Sequence, residues 1–185
     1  QKFSEAGYQC FLSGKWHLKQ SPSALGFSKA CYFYGNGTYY GRKVIDQGVS
    51  KKPKKHVDLF CAERSADFIA EHADKPFLLF HCTQTPHMDG KLRWPSAPQF
   101  RKLYQGQQGP LPDNWNDPYL VKPPYLPGIR NRRKAIEYGY QSPDKIRSHA
   151  LEYYSVVSEM DASLKHIFDV LSEKDLWKNT YIVFL

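Results

Sequence analysis

The sequence has no C-x-x-C pair, no apolar run of membrane length and no Met at its first position. Its four cysteines, Cys10, Cys31, Cys61 and Cys82, lie far apart, which argues against a zinc site of the usual close spacing. Three of them sit in apolar blocks, where a free thiol behaves as a small buried hydrophobe, so cysteine usage leaves the compartment open. Without a run of about 20 apolar residues, no segment reads as a membrane span. The opening Gln1-Lys2-Phe3-Ser4-Glu5-Ala6 reads as a helix end rather than a targeting segment. The closing Tyr181-Ile182-Val183-Phe184-Leu185 reads as an apolar strand. Two such ends lead to the expectation of an internal piece of a larger chain.

What is present is enough for one core: 185 residues with 15% aromatics, grouped in periodic apolar blocks. The net charge of +8 favours anionic partners, nucleic acid or sulfated polymers among them. Nucleic acid fits poorly, because the charges cluster in Pro-broken loops and no known binding motif occurs. Lys51-Lys52-Pro53-Lys54-Lys55 is such a run and reads as a solvated loop.

The chain is organised around Gly7-Tyr8-Gln9-Cys10-Phe11-Leu12-Ser13-Gly14-Lys15-Trp16-His17-Leu18. Cys10 to Leu12 predicts a buried strand, with Ser13-Gly14 relaxing the backbone at its end. If the chain stays extended, Lys15 and His17 share one face and Trp16 packs on the other. A fixed cation beside a titratable imidazole suits gripping an anion and moving a proton. Cys31 to Tyr34, closed by Gly35-Asn36-Gly37, reads as a strand or packed loop and then a turn. Val57 to Ala73 predicts an amphipathic helix with its stripe at Leu59, Phe60, Ala62, Ala66, Ile69 and Ala70. Phe77 to Thr83 is a continuous apolar strand suited to a sheet covered on both faces, and it leads through Gln84-Thr85 to Pro86-His87-Met88-Asp89. Helix, strand and polar turn in this order follow the α/β pattern, where ligand groups gather at strand carboxyl ends. His81, within that strand, reads as a core or edge residue.

From Pro95 to Pro143 the composition changes. Nine of the thirteen prolines lie here, so an irregular excursion with one short helix near Gln99 to Tyr104 is expected. The cluster Arg130, Arg132, Arg133 and Lys134 is suited to sulfate or carboxylate, and equally to a solvated connector. Trp115, Tyr119 and Tyr125 are sugar-stacking or loop-pinning aromatics. Ser142-Pro143-Asp144 starts the longest helix, with Ser142 as N-cap and a stripe at Ile146, Ala150, Tyr154, Val157, Leu164, Phe168 and Leu171. Asp161, near that stripe, either has a partner or faces outward.

The opening stretch resembles the second signature of the sulfatase family, G-Y-x-T-x-x-x-G-K-W-H-L-G. Gly7-Tyr8, Gly14-Lys15-Trp16-His17 and Leu18 match, while Cys10 replaces the Thr and Lys19 the final Gly. Gly26-Phe27 and the aromatic run after it are similar to G-F-D-x-F-Y-G-F, with Ser28 in place of Asp. Pro76-Phe77 through Pro86-His87 is similar to P-F-x-L-x-x-x-x-x-x-P-H, and the last helix and strand to Y-x-x-x-V-x-x-x-D and N-T-x-x-x-F. Cys61-Ala62-Glu63-Arg64-Ser65 is a decoy for the nucleophile motif C-x-P/A-x-R: its third and fifth positions differ, and it lies mid-helix after the Lys-Trp-His element.

The resemblance implies an alkaline-phosphatase-like α/β fold, a large mostly parallel sheet between helices. This chain would hold the central part of one catalytic domain (1–185), with 95–143 as a Pro-rich loop insertion. It implies a sulfuric ester hydrolase using a formylglycine, made from a Cys or Ser outside this chain, and a divalent cation, usually calcium, with ligands outside it too. Lys15 would hold a sulfate oxygen and the formylglycine oxygen. His17 would take the proton that expels sulfate. His87 would bind sulfate and assist departure of the alcohol. The partner implied is a sulfated small molecule or glycan, and the location periplasmic, secreted or lysosomal. Alternatives on the same fold are a phosphodiesterase or phosphonate hydrolase, and an inactive homologue that binds sulfated glycan. The 185 residues alone are expected not to turn over.

Overall fold

The computed structural model describes residues 2–115, 137–140 and 142–185. After a short helix α1 (Lys2–Glu5), the chain enters β1 (Gln9–Trp16), then β2 (Lys29–Tyr34), β3 (Val44–Asp46) and β4 (Val49–Lys51). Helix α2 (Val57–Glu71) leads to β5 (Phe77–Cys82), and α3 (Pro98–Lys102) and α4 (Pro143–Glu173) follow. The five strands form one sheet in the order β4-β3-β2-β1-β5. β1 is parallel to both β2 and β5, whereas β3 and β4 add an antiparallel edge. Three parallel strands therefore end on one side of the sheet, with β1 between the other two.

The β1 pattern explains its central place. Phe11 and Ser13 face α2, where the ring of Phe11 stacks on Phe68 at 4.8 Å and Ser13 Oγ donates to Cys61 O at 2.8 Å. Cys31 and Phe33 of β2 join the same core, with Val57, Cys61, Ala62, Phe68 and Ile69 of α2 against them. Ile167, Val170 and Leu171 of α4 close it from the helix side. Burying an aromatic ring such as Phe11 contributes about 2–3 kcal/mol. On the opposite face Leu12 and Trp16 are buried, and Trp16 meets Phe27 edge-on at 6.1 Å.

Several expectations shift in register. On α2 the buried face is Val57, Asp58, Cys61, Ala62, Ser65, Phe68 and Ile69, and Ala70 is exposed. On α4 it is Ser155, Val156, Glu159, Ser163, Ile167, Val170 and Leu171, while Tyr154 is 40% exposed and Asp161 faces outward. Small polar residues can line these seams because their side chains bond locally: the Ser65 and Ser163 hydroxyls donate to carbonyls four residues back. Ser142 does stand at the N-cap of α4, without a side-chain bond, and Pro143 opens the helix. β5 is only half-buried, with Phe80 45% exposed, so among the described residues it is not covered on both faces.

The strand expected at Tyr181–Leu185 does not form. These residues have no ladder partner in the five-stranded sheet, and Tyr181, Val183, Phe184 and Leu185 are largely exposed. An apolar run becomes a strand only where a neighbour takes its backbone hydrogen bonds. Arg130, Arg132, Arg133, Lys134, Tyr119 and Tyr125 lie outside the described residues. No helix of the described residues is long and apolar enough to cross a membrane.

Candidate active site

The site lies where β1, β2 and β5 end, the place where open α/β sheets collect ligand groups. β1 delivers Lys15 as its second-last residue and His17 just after it. The turn after β2 brings Asn36, and the loop after β5 brings His87. Lys15 Nζ donates to Asn36 Oδ1 at 2.5 Å, and Asn36 Nδ2 lies 3.0 Å from His87 Nε2. Two of the three expected residues are thus joined through one carboxamide. His17 is exposed at the strand end and takes part in no hydrogen bond or ion pair among the described residues. Half-buried Lys15, buried Trp16 and exposed His17 agree with an alternating strand end.

Gly14 makes this arrangement possible. It has φ +97°, and a Cβ built there would stand 1.8 Å from the Cys82 carbonyl oxygen. Only glycine lets β1 approach β5 this closely one residue before Lys15.

The two loops that carry Asn36 and His87 are tied together from beneath. Asp58, fully buried in the first turn of α2, accepts from the backbone N–H of Gln84 at 2.7 Å and of Thr85 at 3.0 Å. The Gln84 side chain accepts from Arg42 Nη1 at 2.7 Å and donates to Gly37 O at 2.6 Å. Arg42, also buried, donates through Nη2 to Tyr34 O and Gly35 O at 2.7 and 2.9 Å, and its guanidinium lies over the Phe33 ring. Burial lowers the Arg42 pKa, and the charge of Asp58 opposes the shift. The peptide bond Thr85–Pro86 is cis, and Tyr39 donates to the His87 carbonyl at 2.5 Å. Trp94 Nε1 donates to Pro86 O at 2.8 Å. Further out, buried Glu159 of α4 accepts from Tyr40 Oη at 2.9 Å and Ala97 N at 2.8 Å, which fastens α4 to the rim.

None of Asn36, Arg42, Asp58, Gln84 and Glu159 was singled out by sequence. A polar residue between two glycines directly after a strand, as Asn36 is, was the one readable signal.

Cys61 is inert. It is buried, and hydrogen bonding with Cys31, then burial, push its thiol well above the ordinary range. His81 is a core residue: its Nδ1 lies 3.0 Å from Ser65 Oγ, and burial pushes its imidazole down to about 4. An unfolded histidine titrates near 6.5, so between about 6.5 and 4 the unfolded chain binds a proton that the folded one refuses. Stability is therefore expected to fall by about 2 kcal/mol from pH 7 to pH 5 through this one group. Urea unfolding of wild type and His81→Gln at both pH values checks this; an equal loss in the two proteins would contradict it.

A model of the sulfatase family matches residues 1–185 of this chain. An N-acetylglucosamine-6-O-sulfatase of Bacteroides thetaiotaomicron is 27% identical over 119 residues, covering 62% of this chain and 20% of its own length. A solved structure of a protein in complex with its substrate D-glucosamine-2-N,6-O-disulfate superposes with a TM-score of 0.71 at 18% identity, over 92% of this chain and 45% of its own. Another, from work on glycosaminoglycan metabolism by Bacteroides thetaiotaomicron, gives 0.65 at 20% identity, over 96% of this chain and 38% of its own. The chain thus spans less than half the length of these relatives. The fold they share with it is the alkaline-phosphatase-like α/β fold.

Proposed function

This chain belongs to the sulfatase family, and from that premise we propose that the protein carrying it is a sulfuric ester hydrolase acting on a sulfated carbohydrate. The observation that carries the reading is the joining of Lys15 and His87 through Asn36 at the ends of parallel strands. A permanent cation and an imidazole nitrogen joined through one carboxamide suit a tetrahedral anion that must be held while a proton moves. The carbohydrate part draws on the glucosamine derivatives named for two relatives.

In this reading the sulfuryl group passes from the alcohol oxygen to a nucleophile supplied from outside the described residues. Lys15 binds a non-bridging sulfate oxygen and offsets the charge that grows in that transfer. His87, once Nε2 carries a proton, delivers it to the departing alcohol oxygen. His17, exposed and unengaged, takes up a proton on the far side of the cycle. Among the described residues no three His, Cys, Asp or Glu side chains gather as a cation site, and Cys61 is no nucleophile. The described residues supply no ligand set for a cation and no nucleophile, so calcium and the formylglycine would be held by residues outside them, and no step passes through either. The same reading carries a periplasmic, secreted or lysosomal location.

The test is turnover by the whole protein. Release of sulfate from N-acetylglucosamine 6-sulfate, well above hydrolysis of a phosphate diester, is expected. Faster phosphodiester cleavage would overturn the reading, and salt-dependent binding of the sulfated sugar without turnover would leave a binding protein.

A further inference from the structure

We propose that Asn36 is a positioning residue of this anion site: its carboxamide, acting with the Met88 carbonyl on the other side of the ring, decides which ring nitrogen of His87 carries the proton and holds the Lys15 ammonium one amide away. The inference rests on reading Lys15 and His87 as the anion grip. An ammonium only donates, so the Asn36 oxygen must face Lys15, 2.5 Å away. Its NH2 then faces His87, and a bond at 3.0 Å needs a bare lone pair on Nε2. The proton of the neutral ring therefore sits on Nδ1, which donates to Met88 O at 2.8 Å. The four groups form a chain that runs one way, Lys15 to Asn36 to His87 to Met88. Turning the amide over would set NH2 against the ammonium and the oxygen against the bare Nε2, so both ends enforce the same orientation.

The backbone around Asn36 is built for this task. Its side chain is exposed at a loop tip, yet the carbonyls on either side are gripped by buried groups: Gly35 O by Arg42 and Gly37 O by Gln84. A Cβ at Gly37 would stand 2.3 Å from Arg42 Nη1, so the grip requires glycine there. Gln84 is anchored on Asp58 and lies three residues before His87. One buried frame thus sets the distance between Asn36 and His87. Its effect is that Nε2, on the Asn36 side of the ring, is the nitrogen left without a proton and able to take one up, while Nδ1 stays anchored on Met88 O.

Long-range proton–nitrogen correlation spectra of the whole protein, labelled with 15N-histidine, read this directly. At a pH where the ring is neutral, His87 is expected as the Nδ1–H form, identified by its loss in His87→Gln. Asn36→Ala should release an Nε2–H population. Asn36→Asp, an acceptor at both ends, should put a proton on Nε2. An Nε2–H ring in wild type, or the same ring form in all three proteins, would overturn the inference. A residue that merely supported the fold would not move the tautomer. Turnover separates the two levels: kcat/KM for the sulfate ester should fall about a hundredfold in Asn36→Ala, the cost of a misplaced reacting group. If Lys15→Ala and His87→Ala lose activity while Asn36→Ala keeps it, the role of Asn36 fails and the anion grip stands. If all three keep it, the anion grip itself fails.

Discussion

Replacing Lys15 by alanine in the whole protein is expected to lower kcat/KM for a sulfate ester about a hundred- to a thousandfold, the usual cost of removing one preorganised donor to a developing anion. Stability should hardly change, because Lys15 is half-buried at a strand end and, among the described residues, its side chain bonds only to the exposed Asn36. The loss should fall mainly on kcat if the ammonium meets charge that grows in the transition state, and on KM if it grips the ground-state sulfate equally well. Lys15→Arg should recover little, since a planar fork is longer and cannot take the same place beside Asn36. His87→Ala should cost a comparable factor. The double variant should lose much less than the product of the two, because the single carboxamide couples them. Steady-state rates for wild type and the four variants, with urea midpoints to show that each is folded, make the check. A loss within twofold for Lys15→Ala would remove it from the site.

How far the sequence could lead to this point differs from residue to residue. Lys15 and His87 were readable as candidates because one closes an apolar run and the other follows one through a polar turn, and local wording marks both. β1 and β5 were legible for the same reason, although the extra residues Ser13 to Trp16 belong to the strand itself. The helix faces were misplaced by about one position, because the buried seams carry Ser65, Ser155, Glu159 and Ser163, which apolar periodicity passes over. Glu159 can be buried only because Tyr40 and Ala97 reach it from segments over 60 residues away, and nothing local announces them. Arg42, Gln84 and Asp58 were invisible on the same ground, and Asn36 showed only as a polar residue between two glycines after a strand. Their partners are made by the sheet order, which sets the ends of β2 and β5 on either side of β1.

Gly14 turns that sheet order into a site, and Gly14→Ala is expected to be the most damaging alanine replacement among the described glycines. Two costs combine. A side chain at φ +97° disfavours the backbone by about 1–2 kcal/mol. The new Cβ also falls 1.8 Å from the Cys82 carbonyl oxygen, which is backbone in the neighbouring strand and cannot rotate away. Overpacking of this kind costs about 1–3 kcal/mol where the surroundings can yield, and here the two strands must part. The sum, about 4 kcal/mol, is a large share of the 5–15 kcal/mol that holds a typical domain. Gly7→Ala separates the two costs. Gly7 has a similar φ of +86° with nothing within 4 Å of its Cβ, so it should lose only the backbone part. Urea unfolding of both variants beside wild type measures the difference directly. If the two alanines cost the same, β1 and β5 have room to spare at this point. If Gly14→Ala is far worse, the close approach of these strands is what places Lys15 opposite the loop of His87.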